Sequence, residues 1–265
     1  MNLIYLNVVS SFILLLGCYL AVPLRPNKAK LFFILIVFAI GIYGLSSLIA
    51  IQNGWDFGVA AALRLSVFFT LFWFAILCIA SKIASKLAVF VLPYLTILSF
   101  AVLSLNFLDA QNTVSTEISS AWISFHILTS LSTYATISLA TMAAFSVFLS
   151  QLSIKNKRSN IFVNYLPAIN EADRLQTILL VISFFVLFVG ILTGMTVENL
   201  KSGKVISIDH KTILSFCTLV LISSLLITNK LFGLRGRFLS RLILVAYFLI
   251  SLGYIGVKII SQYFL

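Results

Sequence analysis

The chain is 265 residues long, 61% hydrophobic and only 9% charged, with a formal net charge of +11. A water-soluble globule cannot carry that composition, because too little polar surface would remain to face solvent. Lipid tolerates it, provided that the backbone satisfies its own hydrogen bonds inside helices or a closed barrel.

The apolar stretches show no strict alternation of apolar and polar residues, which selects helices over strands. About 20 residues at a rise of about 1.5 Å cover a hydrocarbon core roughly 30 Å thick. On that measure eight spans are expected, near 2–22, 31–51, 58–80, 87–107, 122–151, 175–198, 212–232 and 238–262. The first has no basic stretch before its apolar run and no small-residue cleavage pattern ahead of Pro23 and Arg25. It therefore reads as a membrane helix rather than a signal peptide. Only residues 81–86 separate the third span from the fourth, which makes a tight helical hairpin. No segment of soluble-domain composition remains. The expected fold is an all-α integral membrane protein, a single polytopic domain over 1–265 built as a bundle of about eight transmembrane helices.

The excess positive charge is distributed by loop. Arg25, Lys28 and Lys30 lie between spans one and two, and Lys82 and Lys86 between three and four. Lys155, Lys157, Arg158 and Arg174 lie between five and six, and Lys230, Arg235, Arg237 and Arg241 between seven and eight. Those thirteen of the eighteen basic residues share one side of the membrane. The opposite loops hold Lys201, Lys204 and Lys211 beside Asp56, Asp109, Glu117, Glu198 and Asp209. The positive-inside rule puts the basic side in the cytoplasm and both termini in the extracytoplasmic space. The basicity is thus an orientation signal that meets anionic lipid, and it does not point to nucleic acid.

Cys18, Cys78 and Cys217 sit singly in apolar runs, as buried structural thiols would, and form no C-x-x-C pair. The Gly233-Leu234-Arg235-Gly236-Arg237 segment reads as a glycine-permitted reversal with two guanidiniums reaching for headgroups. Gly190-Ile191-Leu192-Thr193-Gly194 is a small-x-x-x-small pattern that permits close helix approach. The chain contains no hydrolase triad pattern, paired acidic metal site or H-E-x-x-H motif.

Polar chemistry concentrates near one face. His126 follows the 109–121 loop by about one turn, and His210 closes the loop after Lys201 and opens the seventh span. Two imidazoles at one depth on separate helices are what axial ligation of a haem iron needs. The same residues are also compatible with a histidine bonded to a neighbouring helix and a solvated helix start. Arg64 and Lys258 lie within spans at a similar depth, where a cation is costly and normally faces a partner. They could hold an anion such as a haem propionate or a lipid headgroup, or snorkel to the interface.

The stretch "FHILTSLSTYATISLA", with His126 followed eight residues on by Tyr134, resembles the helix after the first outer histidine of the cytochrome c assembly family. That family of haem-handling membrane proteins includes CcsA, ResC and CcmC. "GILTG" at 190–194, after Asp173 and Arg174, resembles the helix leading to the family's tryptophan-rich outer loop, and Asp209 and Lys211 match the Asp-x-Lys that closes it. The "GLRGR" turn and the chain length resemble the eight-helix YpjD and HemX-like branch most closely. The resemblance covers about residues 60–265. It implies a haem cofactor, with His126 as a ligand to the haem iron and Tyr134 as a further cofactor-binding residue; His210 as a second iron ligand, and Arg64 and Lys258 as cofactor-binding cations, are candidates by their position alone.

The departures concern the transfer chemistry. No tryptophan occurs after Trp122, Asn229 stands near the expected transmembrane histidine, and the sequence ends at Leu265 without a second outer histidine beyond span eight. His210 occupies a position where the ligases carry proline. The expected function is therefore non-enzymatic: a haem-handling accessory protein for cytochrome c biogenesis or haem supply in the bacterial inner membrane. Its expected partners are the lipid bilayer, haem and a membrane protein of cytochrome or haem biogenesis. The alternatives are a membrane scaffold without a ligand and a transporter of small solutes or lipids.

Overall fold

The computed structural model describes residues 3–21, 29–52, 58–108, 121–157, 163–203, 207, 209–233 and 236–256, and no strand occurs among them. The helices are α1 (Leu3–Ala21), α2 (Ala29–Gln52), α3 (Val59–Ala80), α4 (Ala88–Leu108), α5 (Ala121–Lys155), α6 (Ile169–Ser202), α7 (His210–Phe232) and α8 (Arg237–Ser251). A short 3-10 turn, Ala84–Leu87, completes the expected α3–α4 hairpin, and a π-helical turn, Leu252–Gly256, follows α8. Seven of the helices are long and apolar enough to cross a membrane, and α1 is a shorter apolar helix. The molecule is a multi-pass, all-helical membrane protein.

Serine and threonine are numerous in these spans, and lipid offers their hydroxyls no water. They turn back onto their own helices instead. Ser66, Thr70, Thr96, Ser138, Thr141 and Ser183 each donate to the carbonyl four residues earlier, at 2.7–2.8 Å. The helices can therefore be rich in hydroxyls and still be apolar outside.

The chain divides into two compact units, Met1–Glu117 with Tyr165–Pro167, and Ile118–Asn164 with Ala168–Leu265. In the first, α1 packs on α2 and α4, and α3 packs on α2 and α4. A polar knot ties three of these helices together. Ser99 of α4 bonds to Ser11 of α1 and, at 2.5 Å, to the Tyr43 hydroxyl of α2. Asn7 of α1 is 1% exposed, and neither its amide nitrogen nor its oxygen has a partner among the described residues. Cys18 lies 3.3 Å from the Thr96 hydroxyl.

In the second unit α5 forms its most extensive contact with α6, and also packs on α8. Every residue from Thr133 to Thr141 is buried, so α5 is enclosed all round along this stretch. Small side chains make that possible: Ala135, Ala140, Ala143 and Ala144 are 0% exposed and let neighbouring backbones come close. By contrast α7 is peripheral. It buries only Thr218, Ile222 and Leu225, a single seam at helical spacing.

The end of this unit at the start of α8 is locked by polar contacts. Gly236 has φ 74 and ψ −140, a backbone conformation essentially reserved for glycine. Its N–H donates to the Asp173 carboxylate at 3.3 Å, and the same oxygen accepts from the Gln176 amide at 2.6 Å. Gln176, itself 0% exposed, accepts from the Ser240 hydroxyl at 3.2 Å. The Arg237 guanidinium was expected to reach for headgroups. It donates instead to the Gln151 carbonyl near the C-terminal end of α5, where the helix dipole favours a cation. Arg235 lies outside the described residues.

Other expectations change in detail. Of the three cysteines read as buried, Cys78 is buried, Cys18 is intermediate and Cys217 is exposed on α7. Helices α5 and α6 run to 35 and 34 residues, beyond the 122–151 and 175–198 expected. Hydropathy falls where lipid would end, but a helix continues into water as long as its backbone bonds hold.

Candidate functional site

His126 lies on the second turn of α5, and its imidazole is pressed against the backbone of α6. Nδ1 is 3.1 Å from the Gly190 carbonyl oxygen and 3.2 Å from the Thr193 hydroxyl. The Thr193 hydroxyl donates to that same Gly190 oxygen at 2.9 Å. Thr129, one turn beyond His126, donates to the His126 carbonyl at 2.9 Å and lies 3.4 Å from the Thr193 hydroxyl. Gly194 leaves room for the ring: a methyl group there would stand 2.9 Å from Cε1 of His126.

This arrangement determines the chemistry of the ring. A carbonyl oxygen only accepts, and the single Thr193 hydroxyl hydrogen is directed to it, so Nδ1 carries the hydrogen in both contacts. In the neutral imidazole Nε2 then bears the lone pair. No described residue bonds to Nε2. Metal-binding histidines use this pattern, anchoring one ring nitrogen on a carbonyl and presenting the other.

The second histidine is placed differently. His210 is the first residue of α7 and is exposed, with no hydrogen bond to a described residue. Beside it the Asp209 carboxylate accepts from the Ser207 hydroxyl at 3.1 Å. Helix directions put both histidines at one end of this unit. The start of α5 meets the late part of α6 at His126, and Leu214 of α7 lies against Gly253 beyond α8. The starts of α6 and α8 meet the end of α5 at the opposite end, through Asp173, Gly236 and Gln151.

Tyr134 is 1% exposed within the second unit. Its hydroxyl is 3.2 Å from that of Tyr247, and its ring centroid is 5.6 Å from that of Tyr254, so it is a core aromatic with its polar tip engaged. Arg64 is in the first unit, on the second turn of α3, and is 5% exposed, which removes the snorkelling reading. Asp56, the acidic residue nearest to it in sequence, and Lys258 lie outside the described residues. Among the described residues no group of three or more His, Cys, Asp or Glu side chains could enclose a metal ion. Nε2 of His126, which no described residue bonds, is a nitrogen donor of the kind that would hold a haem iron.

Sequence reasoning named His126 and overlooked what holds it. Gly190, Thr193 and Gly194 were read as a packing pattern alone. The pointer available was the pair of threonines, Thr129 and Thr193, each one turn or less from a residue of that contact.

The fold and this site define a polytopic membrane protein with a backbone-anchored histidine whose other ring nitrogen is bonded by no described residue. Residues 57–265 match the cytochrome c assembly protein family, and the chain belongs to that family. It is 34% identical over 217 residues to a protein of Azospirillum brasilense, described as an uncharacterized 28.8 kDa protein in the nifR3-like 5′ region. That alignment covers 82% of this chain and 79% of the relative.

Proposed function

We propose that this protein is a haem-handling accessory component of cytochrome c biogenesis or haem supply in the bacterial inner membrane, akin to the YpjD and HemX-like branch. His126 would hold the haem iron, through Nε2. Haem, when bound, would supply a redox-active iron that a neutral imidazole can hold. The chain holds that imidazole at a fixed orientation from the Gly190 carbonyl and keeps Nδ1 from competing as the donor. His210, at the same end of the helices, is the candidate second ligand.

The anchored ring of His126 carries this reading, together with membership of a family concerned with cytochrome c assembly. Absorption spectroscopy of the protein, purified in mild detergent and supplemented with haem, tests it. A Soret band is expected that is lost in His126→Ala and kept in Lys155→Ala, a control at the opposite end of α5. No band in the supplemented wild type would overturn the reading. Loss in His210→Ala as well would identify the second ligand.

A further inference from the structure

We propose that Gly194 and the Gly190 carbonyl form a built-in cradle that sets the tautomer and orientation of His126 before any ligand arrives. Gly194 is thereby a positioning residue and not merely a packing glycine. The consequence for haem rests on the reading given above, but the cradle itself is a property of the ligand-free chain.

Three observations carry the inference. Nδ1 faces two oxygen atoms on α6, at 3.1 and 3.2 Å, and one of them is a backbone carbonyl that no side-chain substitution removes. Thr193 donates its own hydrogen to that carbonyl at 2.9 Å, so it presents only lone pairs to the ring. The two glycines of the motif are unequal. A methyl group on Gly194 would lie 2.9, 3.4 and 3.7 Å from Cε1, Nδ1 and Nε2 of His126. A methyl group on Gly190 would meet only Thr129 and Thr133, at 3.8–3.9 Å, which is ordinary contact.

Simple helix packing gives both glycines the same work. The cradle makes Gly194 the position where substitution pushes the ring away and leaves Gly190 tolerant, because Gly190 contributes only its carbonyl. The anchored Nδ1–H polarises the ring and raises the basicity of Nε2, an effect whose loss commonly costs metal sites about 10–100-fold in affinity.

The chain contains only two histidines, so 15N-histidine labelling yields two imidazoles, and a His210→Ala variant assigns them. In haem-free protein the expected result is a protonated Nδ1 and an unprotonated Nε2 for His126. That pattern should persist in Gly190→Ala and in Thr193→Val, which keeps the carbonyl. It should change to mixed tautomers in Gly194→Ala. An Nε2-protonated His126 in the wild type, which requires no variant to fold, overturns the proposal, as does an equal response of the two glycine variants. In supplemented protein, haem affinity should fall about 10–100-fold in Gly194→Ala and stay near wild type in Gly190→Ala. An Nδ1-protonated His126 in a protein without a Soret band would leave the cradle standing and remove the haem reading alone.

Discussion

His126 and His210 carry the same ring into different surroundings, one held by a carbonyl on a neighbouring helix, the other exposed at a helix start. His126 was legible as a candidate from the sequence because imidazoles are scarce and this one follows a polar loop. Its partners were not, because a carbonyl is common to every residue and a glycine has no side chain to declare a role. Glycine at 236 has a comparable hidden duty. Its backbone is in a region closed to L side chains, and a methyl group there would stand 2.6 Å from the Gln151 amide nitrogen. Gly203 also has positive φ, at 70, but nothing lies within 4 Å of its added methyl. Gly203→Ala should therefore cost about 1–3 kcal/mol from backbone strain. Gly236→Ala should cost clearly more, since its φ 74, ψ −140 conformation is still less open to alanine, whereas the Gln151 side chain can swing aside. Thermal unfolding in detergent ranks the two, and the reverse order would refute the steric account.

At the level of elements, all eight helices could be read from run length, since each apolar stretch had to meet the thickness of lipid. Their ends could not. The first turn of α6 contains Glu171, and Asp173 and Arg174 follow, charges that stop a hydropathy window without stopping a helix. Asp173 does not end the helix; it holds the turn before α8 through Gly236. Pairings between helices were equally hidden, because the hydroxyls that make them are interspersed with many that only bond their own backbone. The knot of α1, α2 and α4 illustrates this. Tyr43→Phe removes a cross-helix bond to Ser99 and should lower stability by about 0.5–1.5 kcal/mol. Asn7→Leu removes a buried amide that bonds to no described residue, and should leave the melting temperature unchanged or raise it. A larger loss in Asn7→Leu than in Tyr43→Phe would show that the amide has a partner, such as an ordered water.

On the scale of the whole molecule, multi-pass character followed from composition alone, because no other solvent accommodates 61% hydrophobic residues with 9% charge. The division near residue 118 had no such signal, since composition does not change there. The loop charges predict an orientation that has a direct test. Single cysteines replacing Lys157 and Lys201, in a background without Cys18, Cys78 and Cys217, should react from opposite compartments, Lys157→Cys from the cytoplasm. Labelling of both from one side would contradict the helix directions drawn from the contacts of His126 and Asp173.

Helices α5 and α6, at 35 and 34 residues, are each about 50 Å long at a rise of about 1.5 Å. The hydrocarbon layer accounts for roughly 30 Å of that. Tilt can absorb a few ångströms, and the remainder must stand clear of the fatty acyl region as a paired, hydrogen-bonded stalk. That protruding helical end is a stiff handle for any protein docking from the aqueous phase. A push on that handle would travel along an unbroken rod to the imidazole near its far end.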